Sequence, residues 1–205
     1  MPPDILLAFD TSAAHCAAAL LSGGQILSAR VEPMAKGQAE RLMPMLEEVL
    51  AEGGVGWRDL GALAVGVGPG NFTGIRIAVA AARGLALGLG IPAIGVTALE
   101  AAAHGLPSPV TVVQDARRGI VYAQVFPGGT ARLMTVEEAS GLPGPYAGEA
   151  GLIGQAVLPS MPVAEAIGRI AAARLARAHP RPAPFYLRGA EAAPAADAPP
   201  LILPS

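Results

Sequence analysis

Aromatic residues make up only 4% of this 205-residue chain, charged residues 15%, and cysteine occurs once, at Cys16. A single cysteine excludes an internal disulfide and any multi-cysteine zinc site within one chain, which leaves Cys16 as a small buried hydrophobe. His15, His104 and His179 are far apart and form no His-x-x-x-His pair, so no metal site is expected. No serine lies in a Gly-x-Ser-x-Gly context, and no catalytic residue can be assigned. No basic stretch precedes the first apolar run, Ile5–Phe9, and Asp10 ends it, so a cytoplasmic chain without a signal peptide is expected. The apolar stretch Ile75–Ile94 approaches membrane-spanning length but carries Arg76, Arg83 and Pro92. A buried helix and strand, with no membrane association, explain it better.

What is present is hydrophobic residue, at 52%, with 26 glycines and 20 prolines. That is enough to bury a core, and it must be built from Ala, Val, Leu and Ile with backbones packed closely, which suits a layered α/β protein. The net charge of −2 is unevenly spread. Residues 1–164 carry nine basic against thirteen acidic groups, whereas 165–188 carry five Arg against Glu165. Any RNA contact is therefore expected at the second segment, weak and sensitive to salt.

Three apolar runs, Ile5–Thr11, Cys16–Leu21 and Ile26–Val31, are separated by turn-like residues and predict an antiparallel meander. From Gln38 to Glu52 the apolar residues Leu42, Met45, Leu46, Val49 and Leu50 fall at helical spacing, with Pro44 predicting a kink or a late start. Leu60–Val67 reads as a strand, Gly74–Leu89 as a helix and Ile91–Val96 as a strand. In the second half Val110–Gln114, Ile120–Phe126 and Ala131–Met134 read as strands and Val163–Ala178 as a helix. Residues 141–162 and the Ala/Pro-rich tail 190–205 read as loop. This pattern predicts lobes at 1–104 and 105–189.

Two loops have the residue types of a phosphate site. Asp10, Thr11 and Ser12 follow the first strand, where a carboxylate and two hydroxyls could meet magnesium and phosphate. Gly68, Pro69, Gly70, Thr73 and Gly74 belong to a glycine-rich loop before a helix, where backbone N–H groups could approach an anion. Both admit blander readings, as turn formers and as close strand-to-helix packing. Asp10→Ala is accordingly expected to leave the fold intact. On the helix that follows, Arg76, Ala80, Arg83, Gly84 and Leu87 share a stripe that lacks the charges of a solvated face. It predicts contact either with another subunit or with the Leu42–Leu50 helix of the same chain.

Together Leu7–Ser12, Gln38–Pro44, Val67–Arg76, Gly84–Ala86 and Asp115–Gly119 resemble the TsaB (YeaZ) family, in family order, and Tyr186–Leu187–Arg188 resembles its C-terminal signature. The resemblance implies an actin-like ATPase (ribonuclease-H-like) fold of two lobes of mixed sheet, the second reduced. It implies a non-catalytic subunit that dimerises with a TsaD-like paralogue, which transfers a threonylcarbamoyl group to the adenosine beside the tRNA anticodon. A TsaE-like ATPase joins them, tRNA is met through the complex, and the free chain could form a homodimer. Leu42, Leu46 and the Arg76–Leu87 stripe would form the subunit interface. No cofactor is required, although ATP or ADP with magnesium could sit at that interface. The paralogue's two histidine metal ligands align with Ala98 and Ala102, whose methyl groups cannot bind metal. Gln38 and Ile120 depart from the family pattern. The alternatives are an actin-like ATPase or small-molecule kinase acting alone and, last, a peptidase.

Overall fold

The computed structural model describes residues 5–154 and 160–187. Strands β1 (Ile5–Asp10), β2 (His15–Ser22) and β3 (Gln25–Pro33) form the expected meander, with Leu7 opposite Leu20 and Ala18 opposite Arg30. Helix α1 spans the predicted Gln38–Glu52 and runs through Pro44 without a late start. Strand β4 (Ala62–Gly66), helix α2 (Phe72–Leu89) and strand β5 (Ala93–Val96) follow, and β4 and β5 add in parallel to give the sheet order β3-β2-β1-β4-β5.

Alternation along β1 sends its side chains to opposite faces of this sheet. Leu7 and Phe9 join Leu42, Met45, Leu46 and Val49 of α1 and Ile75, Ala78, Val79 and Ala82 of α2 in one core. Because both faces are covered, β1 and β4 are apolar at almost every position and buried almost throughout.

A short helix α3 (Ala98–Ala103) leads to a second sheet. It contains β6 (Val110–Asp115), β7 (Ile120–Phe126), β8 (Arg132–Thr135) and, after helix α4 (Val136–Ser140), β9 (Tyr146–Gly148), in the order β8-β7-β6-β9. Leu99 of α3 packs with Val110, Val112 and Tyr122 in a core of its own.

Helix α5 (Val163–Ala172) then returns to the first sheet, where Ala164, Ile167 and Ile170 meet Leu6, Ala8 and Leu21. The range 105–189 is therefore not one lobe: its last helix covers the free face of the first sheet, which would otherwise expose Leu6, Ala8 and Ala64. α5 also ends at Ala172, with turns beyond it in place of the predicted helix to Ala178. The segment 141–162 is not all loop, since β9 pairs in parallel with β6. The tail 190–205 lies outside the described residues.

Glu100 ties two of these elements together. Its carboxylate accepts from the backbone N–H of Thr97 at 2.9 Å to cap α3, and it also pairs with Arg174 beyond α5. Burial works against ionisation, but the Arg174 guanidinium and the Thr97 hydrogen bonds outweigh it and hold the carboxyl below its ordinary 4.5. A lowered folded pKa gives stability that is present above the unfolded value and is lost as pH falls through the folded one. Glu100→Gln is thus expected to flatten the acid limb of the stability curve below about pH 4.5, read by urea melts across that range.

Candidate functional site

The two loops with phosphate-site residues are packed against each other. Asp10 is 1% exposed, and its Oδ2 accepts from the Ser12 N–H at 3.1 Å, the Ser12 hydroxyl at 2.9 Å and His15 Nε2 at 2.7 Å. Among the described residues its Oδ1 has no hydrogen-bond partner, and it faces Gly66, where a Cβ would stand 1.8 Å away. The Thr11 hydroxyl donates to the Gly74 carbonyl at 2.7 Å, and Asn71 N–H donates to the Ser12 carbonyl at 2.6 Å. A Cβ on Gly74 would lie 1.8 Å from the Thr11 carbonyl oxygen, and one on Gly70 would lie 2.3 Å from that of Ser12. The N–H groups of Thr73 and Gly74 at the start of α2 are taken by the Asn71 side chain.

These residues do not fit a magnesium–phosphate group. The carboxylate is enclosed, the helix N-terminus is capped by its own asparagine, and the glycines admit a neighbouring backbone where a ligand would have to sit. Gly68, Pro69 and Gly74 are buried, and the exposed part of the loop runs from Gly70 to Thr73. Asp10 is buried and holds Ser12 and His15, which corrects the expectation that Asp10→Ala leaves the fold intact. Asp10→Ala would leave the buried Ser12 N–H and hydroxyl without their acceptor, so the substitution is expected to cost about 1–3 kcal/mol, read by thermal melting.

Between the two sheets lies an open cleft of about 660 Å³. Ser12, Pro69 and Gly70 reach its wall, opposite Asp115, Arg117 and Glu149. The Asp115–Gly119 turn is the hairpin read from the sequence: Ala116 N–H donates to the Ile120 carbonyl at 2.9 Å, and Arg117 and Arg118 both take left-handed backbone angles. At the cleft rim Phe72 stacks on Tyr186 with centroids 4.9 Å apart, joining the start of α2 to the end of the described chain. No local pattern in the sequence signalled this pair, because 114 positions separate its members.

The second stripe of α2 is exposed. Arg76, Ala80, Arg83 and Gly84 face outward, Leu87 is 85% exposed, and a Cβ on Gly84 would meet nothing within 4 Å. Packing of this stripe against α1 is thereby excluded. Leu42 and Leu46, expected at the interface, are 1% and 0% exposed and belong to the core beneath α1. α2 is long and apolar enough to cross a membrane, but Ile75, Ala78, Val79 and Ala82 are buried against the sheet. In the Arg-rich segment expected to meet RNA, Arg169 donates to the Gly24 carbonyl at 2.9 Å and Arg174 pairs with Glu100. Two of its five arginines therefore hold the fold, and Arg188 lies outside the described residues.

Residues 31–145 match the family model for TsaD, tRNA N6-adenosine threonylcarbamoyltransferase. The TsaB protein of Escherichia coli, a tRNA threonylcarbamoyladenosine biosynthesis protein, is 39% identical over 57% of this chain and 52% of its own length. That of Buchnera aphidicola is 33% identical over 68% of both chains. The chain belongs to the TsaB family. YeaZ from Pseudomonas aeruginosa superposes with a TM-score of 0.66 at 31% identity, covering 84% of this chain and 92% of that one. The fold is thus the two-lobed α/β actin-like ATPase type that the resemblance implied, its second sheet the smaller. The alignment spans about half the length of the E. coli TsaB protein.

Within this TsaB-family chain, Ala98 and Ala102 both lie on α3, and Ala98 is buried. Gln38, the first residue of α1, donates its side-chain N–H to the Met34 carbonyl at 3.2 Å. Ile120 opens β7 and packs at the edge of the second core.

Proposed function

We propose that this chain is a non-catalytic partner subunit in tRNA threonylcarbamoyladenosine synthesis, pairing with a TsaD-like protein through the outer face of α2. The observation that carries this reading is that face itself. Its small residues Ala80 and Gly84 leave room for a second helix backbone, and Leu87, at 85% exposure, is an apolar anchor without a cover among the described residues. The closed loops support a subunit role over an ATPase or kinase acting alone, since Asp10 and the glycine-rich turn are used in packing. Methyl groups at Ala98 and Ala102 supply no metal ligand. In the same proposal a TsaE-like ATPase joins the pair, tRNA is met through the assembled complex, any ATP or ADP sits at the joint, and the assembly works in the cytoplasm.

Reconstitution tests this reading. A TsaD-like protein and a TsaE-like ATPase from the same organism, given tRNA, ATP and an already activated threonylcarbamoyl donor, should form the modified adenosine only when this chain is added. Steady ATP turnover by the purified chain alone would favour the kinase reading instead.

A further inference from the structure

The last described residues, Tyr186 and Leu187, lie beside the partner-facing helix, and Tyr186 makes a specific contact with it. Residues beyond α5 run back across the first lobe, and Phe185 N–H donates to the Val67 carbonyl at 2.8 Å. This places Tyr186 on Phe72. The Arg76 guanidinium carbon lies 3.7 Å from the centre of the Phe72 ring, and its Nε donates to the Tyr186 hydroxyl at 3.0 Å. Arginine normally loses much side-chain freedom when it is fixed at an interface. Here the ring and the phenol fix it beforehand. Among the described residues no carboxylate lies within ion-pair distance of Arg76 or Arg83.

We infer that Tyr186 is a positioning residue that presents Arg76 to a carboxylate on the partner's helix, and that this contact selects the partner. The inference rests on the proposed role of α2 as the partner face. With Nε held by the phenol, the terminal nitrogens of the guanidinium remain to take a carboxylate in the forked geometry that arginine favours. Arg83 stands seven residues further along the same stripe, about 10.5 Å away at 1.5 Å per residue. The complementary surface is therefore a helix with two acidic side chains at that spacing, flanking small residues that meet Ala80 and Gly84.

Charge also argues against a second copy of this chain as the occupant. α2 contains no Asp or Glu. Two copies packed through the same face about a twofold axis would set arginines among arginines with no opposite charge from either helix. A phosphate backbone would satisfy the arginines but not the exposed Leu87 beside them.

The test measures affinity for the TsaD-like protein at low and high salt, with wild type, Arg76→Gln, Tyr186→Phe, the double variant and Arg76→Lys. Arg76→Gln should weaken binding by about tenfold to a hundredfold, the range for a charge-assisted hydrogen bond, and should flatten its salt dependence. Tyr186→Phe keeps the ring stack and loses only the hydroxyl, so a smaller loss of about threefold to tenfold is expected. The double variant should bind no worse than Arg76→Gln alone, and Arg76→Lys should fall between wild type and Arg76→Gln. Melting temperatures should not change, because both side chains are exposed. Wild-type affinity in Tyr186→Phe, or losses that add in the double variant, would overturn the inference. So would an effect that shows only in tRNA binding. If Gly84→Leu leaves binding intact, the partner-face reading itself fails; if Gly84→Leu abolishes binding and Tyr186→Phe does not alter it, only the present inference fails.

Discussion

Gly74→Ala should abolish folding. The added methyl carbon would stand 1.8 Å from the Thr11 carbonyl oxygen, and neither side can retreat cheaply. Gly74 lies in the first turn of α2, whose next residues Ile75, Ala78 and Val79 are locked in the core. Thr11 is 0% exposed at the end of β1, and its hydroxyl donates to the carbonyl of Gly74 itself. Overpacking within a core costs about 1–3 kcal/mol where side chains can adjust, and a clash between two fixed backbones exceeds that range. Against a total stability of about 5–15 kcal/mol, this is enough to leave little native protein, as read by circular dichroism and solubility. Gly84→Ala on the same helix is the control: nothing lies within 4 Å, and replacing a helical glycine should add up to about 1 kcal/mol. A folded Gly74→Ala protein that had lost only nucleotide affinity would restore the phosphate-loop reading.

Gly84→Leu separates surface from core in the opposite direction. The larger side chain has open space in the isolated chain, so the melting temperature should hold or rise. In a helix–helix contact the same side chain would push the partner backbone away from Ala80 and Gly84. The penalty for forcing bulk into a packed contact, about 1–3 kcal/mol, corresponds to roughly a fivefold to hundredfold loss of affinity for the TsaD-like protein. Modification activity of the reconstituted complex should fall with it. A lowered melting temperature with unchanged association would place the stripe inside the fold.

Local pattern made much of the first lobe legible. Leu42, Met45, Leu46, Val49 and Leu50 repeat with the helical period, and α1 has the bounds that this spacing predicted. Alternating turns and apolar runs gave the meander in the same way. What failed was short or non-local. α3 has six residues, and its sequence mark, the Thr97–Glu100 capping box, is a two-residue signal that a periodicity reading passes over. The Thr135–Glu138 box of α4 was missed for the same reason. β9 is three residues in a Pro- and Gly-rich stretch, too short to show alternation, and it exists because β6 offers a parallel edge. α5 was visible as a helix, but which sheet it covers is fixed only by the face of β1 and β2 that α1 and α2 leave to it.

The site divides along the same line. Asp10 and the glycine-rich loop stand out in the sequence, yet their residue types suit a ligand and a tight backbone crossing equally well. Only the approach of Gly74 to Thr11 and of Gly70 to Ser12 decides between them. The α2 stripe was legible because a mixed Arg/small pattern is odd on either a solvated or a buried face. Its link to Tyr186 was not, since the two segments meet only after the chain has built and left the second sheet.

Hydroxyl-radical footprinting of Leu87, with and without the TsaD-like protein, tests the central claim most directly. At 85% exposure this side chain should label strongly in the free chain. If the outer face of α2 is the joint, labelling of Leu87 should fall severalfold in the complex while that of exposed residues far from α2, such as Leu152, stays unchanged. Full labelling of Leu87 in a demonstrably formed complex would contradict the account.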